Sequence, residues 1–395
     1  MPERARTGVS VTRETGYRPA VGLLQSCRMR RPSFVSIISF ILTVSALTTS
    51  CGRAAPVTVP TGPAAVFPGV EWERHETPSA GGFCAEGLER VTARAKELST
   101  SAMVAAVGGK IVYEYGDLAR VSYLASVRKS ILAMLYGNYV HSGVIRLDRT
   151  LAELGIDDIQ SLSPLERSAT AADLLGARSG VYHPASNPGD SLASAPARGS
   201  QKPGTYFLYS NWDFNALGTI FEQETKQGLY DALEKDLAIP IGMQDFDRTT
   251  HRRTGDATRS RHLAYHMNLS TRDMARVGHV MLRNGRWKDR QIVPEAWARR
   301  IVSVVTPVTQ MNPENFRKGP FGYGYLWWIW DGPWSSGPYE GAYTGQGAIG
   351  QFITVLPKLD LVVAHKTVPG DGRNVSGGQY RELLDLLVNA RGCGG

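Results

Sequence analysis

The strand-forming segments of this chain fall into two groups, one near each end, and this separation constrains the fold more than any other feature. The segments rich in apolar, β-branched and aromatic residues are residues 103–107, 110–115, 323–330, 350–356 and 361–365. Gly108 and Gly109 join the first two, and a turn signal at 357–360 joins the last two. Because strand backbones need partners, the two groups are predicted to form one sheet from distant parts of the chain.

Helical patterns fill the interval between the strand groups and also flank it. The predicted helices cover residues 85–99, 127–142, 171–175, 212–226, 271–283 and 378–390. Ser270 followed by Asp273 is typical of a capping box at the start of the fifth of these helices. Since residues 150–300 are mostly helical and loop-rich, we expect an α/β (α+β) fold with a helical lobe inserted between the two halves of the sheet.

Composition and charge exclude several classes of protein. The chain has 395 residues, of which 42% are apolar and 20% charged, so collagen-like, coiled-coil and wholly disordered proteins are excluded. Its net charge of +8 is concentrated in residues 1–50, which hold seven Arg and two Glu, a net of +5. The remaining 345 residues carry +3, and this near neutrality gives no support for a nucleic-acid partner.

Residues 1–51 have the features of an export presequence. Met29 and two arginines precede an apolar run at 34–47, and small residues and Cys51 follow it. This order is typical of a secretory signal peptide. Either Met29 is the true start or residues 1–28 are unstructured, and Cys51 is either a lipidated first residue or lies near an ordinary cleavage point. The protein is therefore predicted to be exported as a periplasmic protein, a secreted protein or a membrane-anchored lipoprotein, with residues 52–68 as a flexible linker.

The strongest chemical signal is the pair Ser126 and Lys129 at the front of a predicted helix. A spacing of three places both side chains on one helical face, within mutual reach. A serine hydroxyl needs a base to become a nucleophile, and a desolvated lysine with a lowered pKa can supply it. A serine at a helix N-terminus also offers its own N–H to an oxyanion. Ser-x-x-Lys alone is common by chance and also describes an ordinary exposed turn of helix.

A second motif, Tyr209-Ser210-Asn211, lies 83 residues after Ser126. A tyrosine beside a buried lysine can relay a proton to a leaving group, and an amide can hold a substrate carbonyl. With these residues the chain resembles the serine β-lactamase and penicillin-binding-protein superfamily. It is most similar to the class C-like branch, which also includes esterases and nylon-oligomer hydrolases. The resemblance runs from roughly residue 70 to 390 and includes the segments 174–180, 240–243, 270–278 and 356–363.

The resemblance implies a β-lactamase-like fold, in which terminal helices flank an antiparallel sheet and an all-helical lobe is inserted. It implies a hydrolase domain at 69–392, with an α/β lobe at 69–125 and 321–392 and a helical lobe at about 126–320. It also implies an acyl-enzyme on Ser126, with Lys129 and Tyr209 as general base and acid, Asn211 on the substrate, and no metal or cofactor.

The third motif of the family departs from its pattern. The family has Lys-Thr-Gly on a strand beside the site, where the lysine helps to bind a substrate carboxylate. The motif maps onto Gly345-Gln346-Gly347 or, one register earlier, onto Tyr343-Thr344-Gly345, and neither register has a lysine. In the first register the N–H of Ala348 is the second oxyanion donor. Lys366-Thr367 is followed by Val368 instead of glycine and is not assigned to the motif.

Other candidate sites are weaker. The segment 189–193 comes close to the Gly-x-Ser-x-Gly nucleophile elbow but is incomplete and lies in a loop of small residues. His262 and His266 share a helical spacing, yet without carboxylate ligands they are interpreted as ordinary histidines rather than a metal site. Four tryptophans are candidates for the wall of a substrate cleft, and about half of them are expected in the core: Trp327, Trp328, Trp330 and Trp334.

The cysteines leave two interpretations. Cys27 and Cys51 lie in the presequence, so Cys84 and Cys393 remain in the domain as one disulfide or as two unrelated thiols. By resemblance, the first and last helices of the domain pack side by side on the sheet. This packing would bring Cys84 and Cys393 together and predicts that they form a disulfide.

The predicted function is that of an exported serine hydrolase that cleaves an ester or amide in a small-molecule or peptide substrate. The missing lysine of the third motif favours esters and amides over β-lactams, although Arg248, Arg252, Arg253 or Arg259 could replace it. Two alternatives stay open. One is a β-lactamase or D-Ala-D-Ala carboxypeptidase, and the other is a non-catalytic protein that binds cell-wall peptides or a partner protein.

Overall fold

The computed structural model describes residues 66–368, 370 and 374–392. The predicted presequence with Cys51, most of the predicted linker and Cys393 lie outside these described residues. The end of the linker is described, and there Phe67 packs edge-on against His279 and Trp287, with ring centroids 5.3 and 5.7 Å away. The packed chain therefore includes residues 66–68. None of the helices in the described ranges is both long enough and apolar enough to cross a membrane.

A large antiparallel sheet joins the two ends of the chain, as predicted. The strands are β1 Ala102–Val107, β2 Lys110–Gly116, β3 Ser122–Tyr123, β4 Arg252–Thr254, β5 Ala264–His266, β6 Asn268–Leu269, β7 Arg286–Trp287, β8 Arg290–Gln291, β9 Phe321–Tyr323, β10 Trp328–Trp330, β11 Tyr343–Gly347, β12 Gln351–Leu356 and β13 Leu361–Lys366. Over the described ranges, seven strands form this sheet in the order β2-β1-β13-β12-β11-β10-β9. The pairing of β1 with β13 places Met103 opposite His365, so the early hairpin is continuous with the late strands.

The helices follow the predicted positions closely at both ends of the chain. They are α1 Ala85–Glu97, α2 Val127–His141, α3 Pro164–Arg167, α4 Ala171–Leu175, α5 Asn211–Thr225, α6 Leu229–Ala232, α7 Thr271–Leu282, α8 Glu295–Ile301 and α9 Gly377–Asn389. Only half of the predicted capping box of α7 forms. Ser270 accepts the Asp273 N–H, but the Asp273 carboxylate accepts the N–H groups of Gln244 and Asp245 instead of closing the box.

The prediction of one strand over residues 323–330 is wrong. This segment contains the end of β9, a turn and β10, which pair with each other as a hairpin. The turn is closed by a hydrogen bond from the Gly324 N–H to the Trp327 carbonyl, and Leu326 adopts φ +61°. A run of apolar aromatic residues favours strand on composition alone, and here the left-handed residue inside the run reverses the chain.

Helices cover both faces of the large sheet because alternate strand residues point to opposite faces. On one face α1 and α9 pack together, and Leu88 and Leu387 share a core with Met103 of β1. On the other face α7 and α2 pack against the neighbouring strand residues, among them Val104. This arrangement confirms the β-lactamase-like sheet with its terminal helices. The long interval between the sheet segments is helical and loop-rich and also holds the two-stranded pairs β3–β6, β4–β5 and β7–β8.

The first and last parts of the domain meet beside α1 and α9. Phe83 forms a bridge with Arg391, and the Cys84 N–H donates to the Ala390 carbonyl at 2.7 Å. Cys84 is disulfide-bonded. Since Cys393 lies outside the described residues, the Cys84–Cys393 pairing stays a prediction.

Candidate active site

Ser126 lies at the N-terminus of α2, directly after a sharp turn of the chain. It is the N-cap residue, and the preceding Ala125 adopts φ +48°, a left-handed conformation that is uncommon for a residue with a Cβ. The helix behind it is buried on nearly all sides, with Ile131 and Leu135 in the core. A helix that is buried on nearly all sides is a central element of a fold. The nucleophile candidate is therefore held by a rigid, buried helix and lines an open cleft.

Lys129 is positioned one turn into α2 and reaches both hydroxyl groups of the predicted site. Its Nζ lies 2.7 Å from Ser126 Oγ and 2.8 Å from the Tyr209 hydroxyl. Burial lowers the pKa of Lys129 well below its usual value, the charge of Arg128 lowers it further, and the charge of Asp190 opposes both. A lysine in this setting is readily neutral, and a neutral amine beside a serine hydroxyl can accept its proton.

Tyr209, two residues before the start of α5, is the third member of the group with Ser126 and Lys129. Ser210 caps α5 by accepting the Asp213 N–H, which places Tyr209 just outside the helix. Its ring packs against Phe214 and Trp328, with centroids 4.8 and 5.4 Å away. Burial raises the pKa of Tyr209 to about 12, and a hydrogen bond with Ser126 acts in the opposite direction. Tyr209 therefore keeps its proton near neutral pH and can donate it to a leaving group.

Asn211 forms hydrogen bonds with the loop beside the cleft. Its Nδ2 donates to the Pro188 carbonyl at 2.9 Å, and its backbone N–H donates to Asp190 Oδ2 at 3.0 Å. The side chain is buried, and its Oδ1 has no hydrogen-bond partner among the described residues. In this structure Asn211 anchors the loop that contains Pro188 and Asp190, and a contact between Asn211 and substrate stays a prediction.

The structure favours the first of the two registers for the third motif. A Cβ at Gly347 would lie 3.0 Å from the Ser126 backbone nitrogen and 2.5 Å from the Leu124 carbonyl oxygen, so this strand passes very close to the start of α2. A Cβ at Gly345 would lie 3.1 Å from Ser130 Oγ, on the same side of β11. At Gly347 only glycine permits the approach, because a Cβ would overlap the backbone oxygen of Leu124. Gly345-Gln346-Gly347 is thus the segment beside Ser126, and Ala348, the next residue along, lines the same cleft.

Lys366 lies away from this cleft. It ends β13 and donates from Nζ to the backbone carbonyls of Ser122 and Leu269, the first of them at 2.8 Å. Those residues belong to β3 and β6, so the lysine ties this small strand pair to the large sheet. Burial lowers the pKa of Lys366 to about 7. Lys366 and Thr367 therefore match the third motif in residue type but not in position.

The cleft around Ser126 has a volume of about 420 Å³, and a loop that sequence reasoning set aside forms one of its walls. Gly189, Asp190 and Ser191 line it next to Ser126 and Tyr209. The incomplete Gly-x-Ser-x-Gly match at 189–193 was the sequence signal for this loop. The loop contributes the Asp190 carboxylate to the cleft and is not a nucleophile elbow. A larger cavity of about 520 Å³ near Ile241 and Trp287 contains none of the predicted catalytic residues.

The four candidate tryptophans divide between the cleft, the core and the surface. Strand alternation does not explain this division, because Trp327 lies in the turn and Trp328 and Trp330 are two residues apart in β10. Trp328 lines the cleft, whereas Trp327 and Trp330 are buried in the core. Trp334 lies at the surface, where the Arg381 guanidinium stacks on its ring at 4.1 Å. The remaining aromatic walls of the cleft are Phe316 and Phe352, which sequence reasoning did not single out.

The two histidines do not share a helix. His266 belongs to β5 and contacts the Tyr123 hydroxyl through Nδ1 at 3.0 Å, while His262 contacts Thr219 Oγ1 through Nδ1 at 3.0 Å. Burial lowers the pKa of both, for His266 to about 4. Within the described ranges, no group of three His, Cys, Asp or Glu residues is arranged to hold a metal ion.

Comparison with known proteins identifies the family. The family model described as beta-lactamase matches residues 88–367. A candidate 6-aminohexanoate-dimer hydrolase from Bacillus anthracis is 20% identical, with a TM-score of 0.57 over 75% of this chain and 79% of that one. A penicillin-binding-protein homologue from Caulobacter crescentus is 13% identical, with a TM-score of 0.56 over 78% and 99%. A family VIII carboxylesterase is 14% identical, with a TM-score of 0.55 over 78% and 99%. No curated protein sequence matches significantly. At these identities the solved structures share the fold, and the matched family model shows that the chain belongs to the β-lactamase family of serine hydrolases.

Proposed function

We propose that this protein is an exported serine hydrolase that cleaves an ester or amide through an acyl-enzyme on Ser126. The observation that carries the proposal is the position of Lys129 Nζ, 2.7 Å from Ser126 Oγ and 2.8 Å from the Tyr209 hydroxyl. The pKa of Lys129 is lowered and that of Tyr209 is raised to about 12. Environments that make a lysine a base and keep a tyrosine protonated are typical of assigned base and acid roles.

In the proposed acylation step, Ser126 Oγ attacks the substrate carbonyl carbon while its proton passes to the neutral Lys129 amine. The backbone N–H groups of Ser126 and Ala348 stabilise the oxyanion that forms. The bond to the leaving group breaks as Tyr209 donates its proton to that group and recovers a proton from Lys129. Water then attacks the acyl-enzyme by the reverse route, which releases the acid and restores Ser126.

We propose further that esters and simple amides are better substrates than β-lactams. Gly345 stands where the family has a lysine for the substrate carboxylate, and the described cleft residues include no Lys or Arg. None of Arg248, Arg252, Arg253 and Arg259 lines the cleft, and two of them are engaged elsewhere, Arg248 with Asp231 and Arg253 with Glu222. Loss of one charge-assisted contact corresponds to about 10- to 100-fold in kcat/KM.

The test begins with covalent labelling by a fluorophosphonate, followed by peptide mass spectrometry. We expect the label on Ser126, and Ser191→Ala serves as the matched control because Ser191 is the neighbouring serine in the cleft. The same samples are then compared on p-nitrophenyl butyrate and nitrocefin. Labelling that survives Ser126→Ala, or nitrocefin turnover far above ester turnover, would contradict the proposal. A folded protein that neither labels nor turns over any substrate would favour the non-catalytic alternative.

Export is the part of the proposal that rests on residues 1–51 alone. The full chain expressed with a C-terminal tag in a diderm bacterium is expected outside the cytoplasm after fractionation. If Cys51 is lipidated, Cys51→Ser moves the protein from the membrane fraction to the soluble periplasm. Retention of the full chain in the cytoplasm would overturn this part.

A further inference from the structure

The described lining of the cleft is acidic. Among the described residues that line it, Asp190 is the one charged side chain. The other lining residues are aromatic, small or neutral polar, and Trp328 and Phe316 are partly exposed within the cleft. A substrate that enters therefore meets one carboxylate and several aromatic faces.

The Asp190 carboxylate is held in place by the loop and by α5. Its Oδ2 accepts the Asn211 N–H at 3.0 Å, and its Oδ1 accepts the Leu192 N–H at 3.3 Å. Each carboxylate oxygen can accept a second hydrogen bond, so the group keeps acceptor capacity toward the cleft. The side chain is partly buried, which limits screening by water.

The charge of Asp190 acts electrostatically on Lys129 and Tyr209. Its negative charge raises the pKa of both Lys129 and Tyr209, opposing the burial effect on the lysine. Arg128 is the buried cation beside Lys129 in sequence, and its guanidinium stacks on the Tyr265 ring at 4.7 Å. Arg128 does not line the cleft, so the charge that a bound substrate contacts at this wall is that of Asp190.

The N-terminus of α9 lies at another part of the cleft, where Ser376 and Gly377 contribute to the lining. A helix N-terminus favours negative charge. Its effect on the ratio of cationic to neutral kcat/KM is the same in all variants of Asp190, so a comparison of that ratio between variants removes it.

We infer that Asp190 determines substrate specificity, and that the substrate carries an ammonium group which lies against this carboxylate while its carbonyl is at Ser126. This inference rests on the hydrolase function proposed above. An ammonium group gains from an anion in a partly desolvated site and from aromatic faces such as that of Trp328. We expect the cationic substrate to be preferred over a neutral one of equal shape by about 10- to 100-fold in kcat/KM.

The matched substrates are the p-nitrophenyl ester of γ-butyrobetaine and its carbon isostere, in which a tert-butyl group replaces trimethylammonium. Both rates are normalised to alkaline hydrolysis, which removes the difference in intrinsic reactivity. The ratio of cationic to neutral kcat/KM is measured for the wild type, Asp190→Asn and the control Ser191→Ala. We expect a large ratio in the wild type and the control, a fall toward unity in Asp190→Asn, and a decrease with added salt. An equal ratio in the wild type and Asp190→Asn would overturn the inference while the hydrolase function stands.

A binding measurement separates the inference from the failure of catalysis. Calorimetry compares the amides of the same two acids on Ser126→Ala and on Ser126→Ala/Asp190→Asn. Tighter binding of the cationic amide, lost in the double variant, supports the inference even if no ester is turned over by the wild type. Equal binding of the two amides to Ser126→Ala would overturn it.

Discussion

Two lysines, one at the start of α2 and one at the end of β13, are equally buried, but their amines have different partners. Lys129 and Lys366 are each about 1% exposed, and in the described part of the chain neither forms an ion pair with a carboxylate. Burial lowers the pKa of both. The amine of Lys129 contacts two side-chain hydroxyls at the floor of a cleft. The amine of Lys366 contacts two backbone carbonyls.

This difference shows that burial alone does not make a lysine a candidate base. A hydroxyl group can both donate and accept, so a proton can move from Ser126 to Lys129 and on to Tyr209. A backbone carbonyl only accepts, so Lys366 must direct its own protons toward Ser122 and Leu269. The first arrangement permits proton transfer, and the second ties strands together.

The largest expected effect is the loss of turnover when the first lysine is removed. Lys129→Met and Ser126→Ala should each reduce kcat by about a thousandfold to a millionfold, because the residues act as a unit. The fold should stay intact, since Lys129→Met removes a desolvated amine and leaves a side chain of similar length. The measurement is ester hydrolysis with the unfolding transition recorded on the same sample. Near wild-type turnover in either variant would refute the assigned roles.

The next effect concerns the second hydroxyl partner of Lys129. Tyr209→Phe should lower kcat by about a hundredfold to ten-thousandfold, because the ring stays packed against Phe214 and Trp328 while the transferable proton is lost. Substrates with a good leaving group, such as p-nitrophenol, need less protonation and should be affected less than alkyl esters or amides. Equal loss for both leaving groups would argue against a proton-donating role.

Removal of the second lysine should act on stability instead of turnover. Lys366→Met removes this donor from the carbonyls of Ser122 and Leu269, and the net loss of each hydrogen bond costs about 0.5–1.5 kcal/mol. We expect a lower free energy of unfolding in urea at about pH 9.5, with kcat per folded molecule close to wild type. A large loss of kcat without a change in stability would mean that Lys366 contributes to catalysis, as Lys129 is proposed to do.

The stability difference should also depend on pH. The pKa of Lys366 is lowered to about 7 in the folded protein from 10.5 when unfolded, so between these values the unfolded chain holds the extra proton. The unfolding free energy of the wild type therefore gains up to about 1.4 kcal/mol per pH unit across this window, and Lys366→Met lacks this gain. Urea titrations of both proteins at about pH 7.5 and about pH 9.5 measure it. A difference that stays constant or shrinks with rising pH would contradict the assignment.

The smallest expected effect tests whether a Lys-Thr-Gly sequence that lies outside the cleft contributes to β-lactam hydrolysis. Val368→Gly completes Lys-Thr-Gly at residues 366–368, yet this segment lies outside the cleft. The nitrocefin kcat/KM should change by less than about twofold, because only groups that interact with the transition state alter it. Val368 is 6% exposed, so some loss of stability is expected and is monitored separately. A clear gain in nitrocefin hydrolysis would mean that Lys366 reaches the substrate.

The sequence predicted the parts of the site that depend on local geometry. The three-residue spacing of Ser126 and Lys129 on a helix brings their side chains together by the pitch of the helix alone, and the structure has them 2.7 Å apart. Tyr209 is 80 residues from Lys129, and its place beside the lysine was expected from the resemblance and not from spacing. Asp190 could not be found in this way, because nothing local indicates that its loop lines the same cleft as Ser126.

Local sequence patterns were sufficient to predict the order of strands and helices, the two groups of strands that had to pair, and the helix that presents Ser126 and Lys129. These follow from side-chain periodicity and propensity, which act over a few residues. Packing of distant segments brings Gly347 beside Ser126, folds residues 323–330 into a hairpin, gives Lys129 and Lys366 different partners, and puts Asp190 at the cleft. Each of these depends on which distant backbone or side chain comes within a few ångströms, as Gly347 does at Ser126, and that proximity is a property of the packed chain.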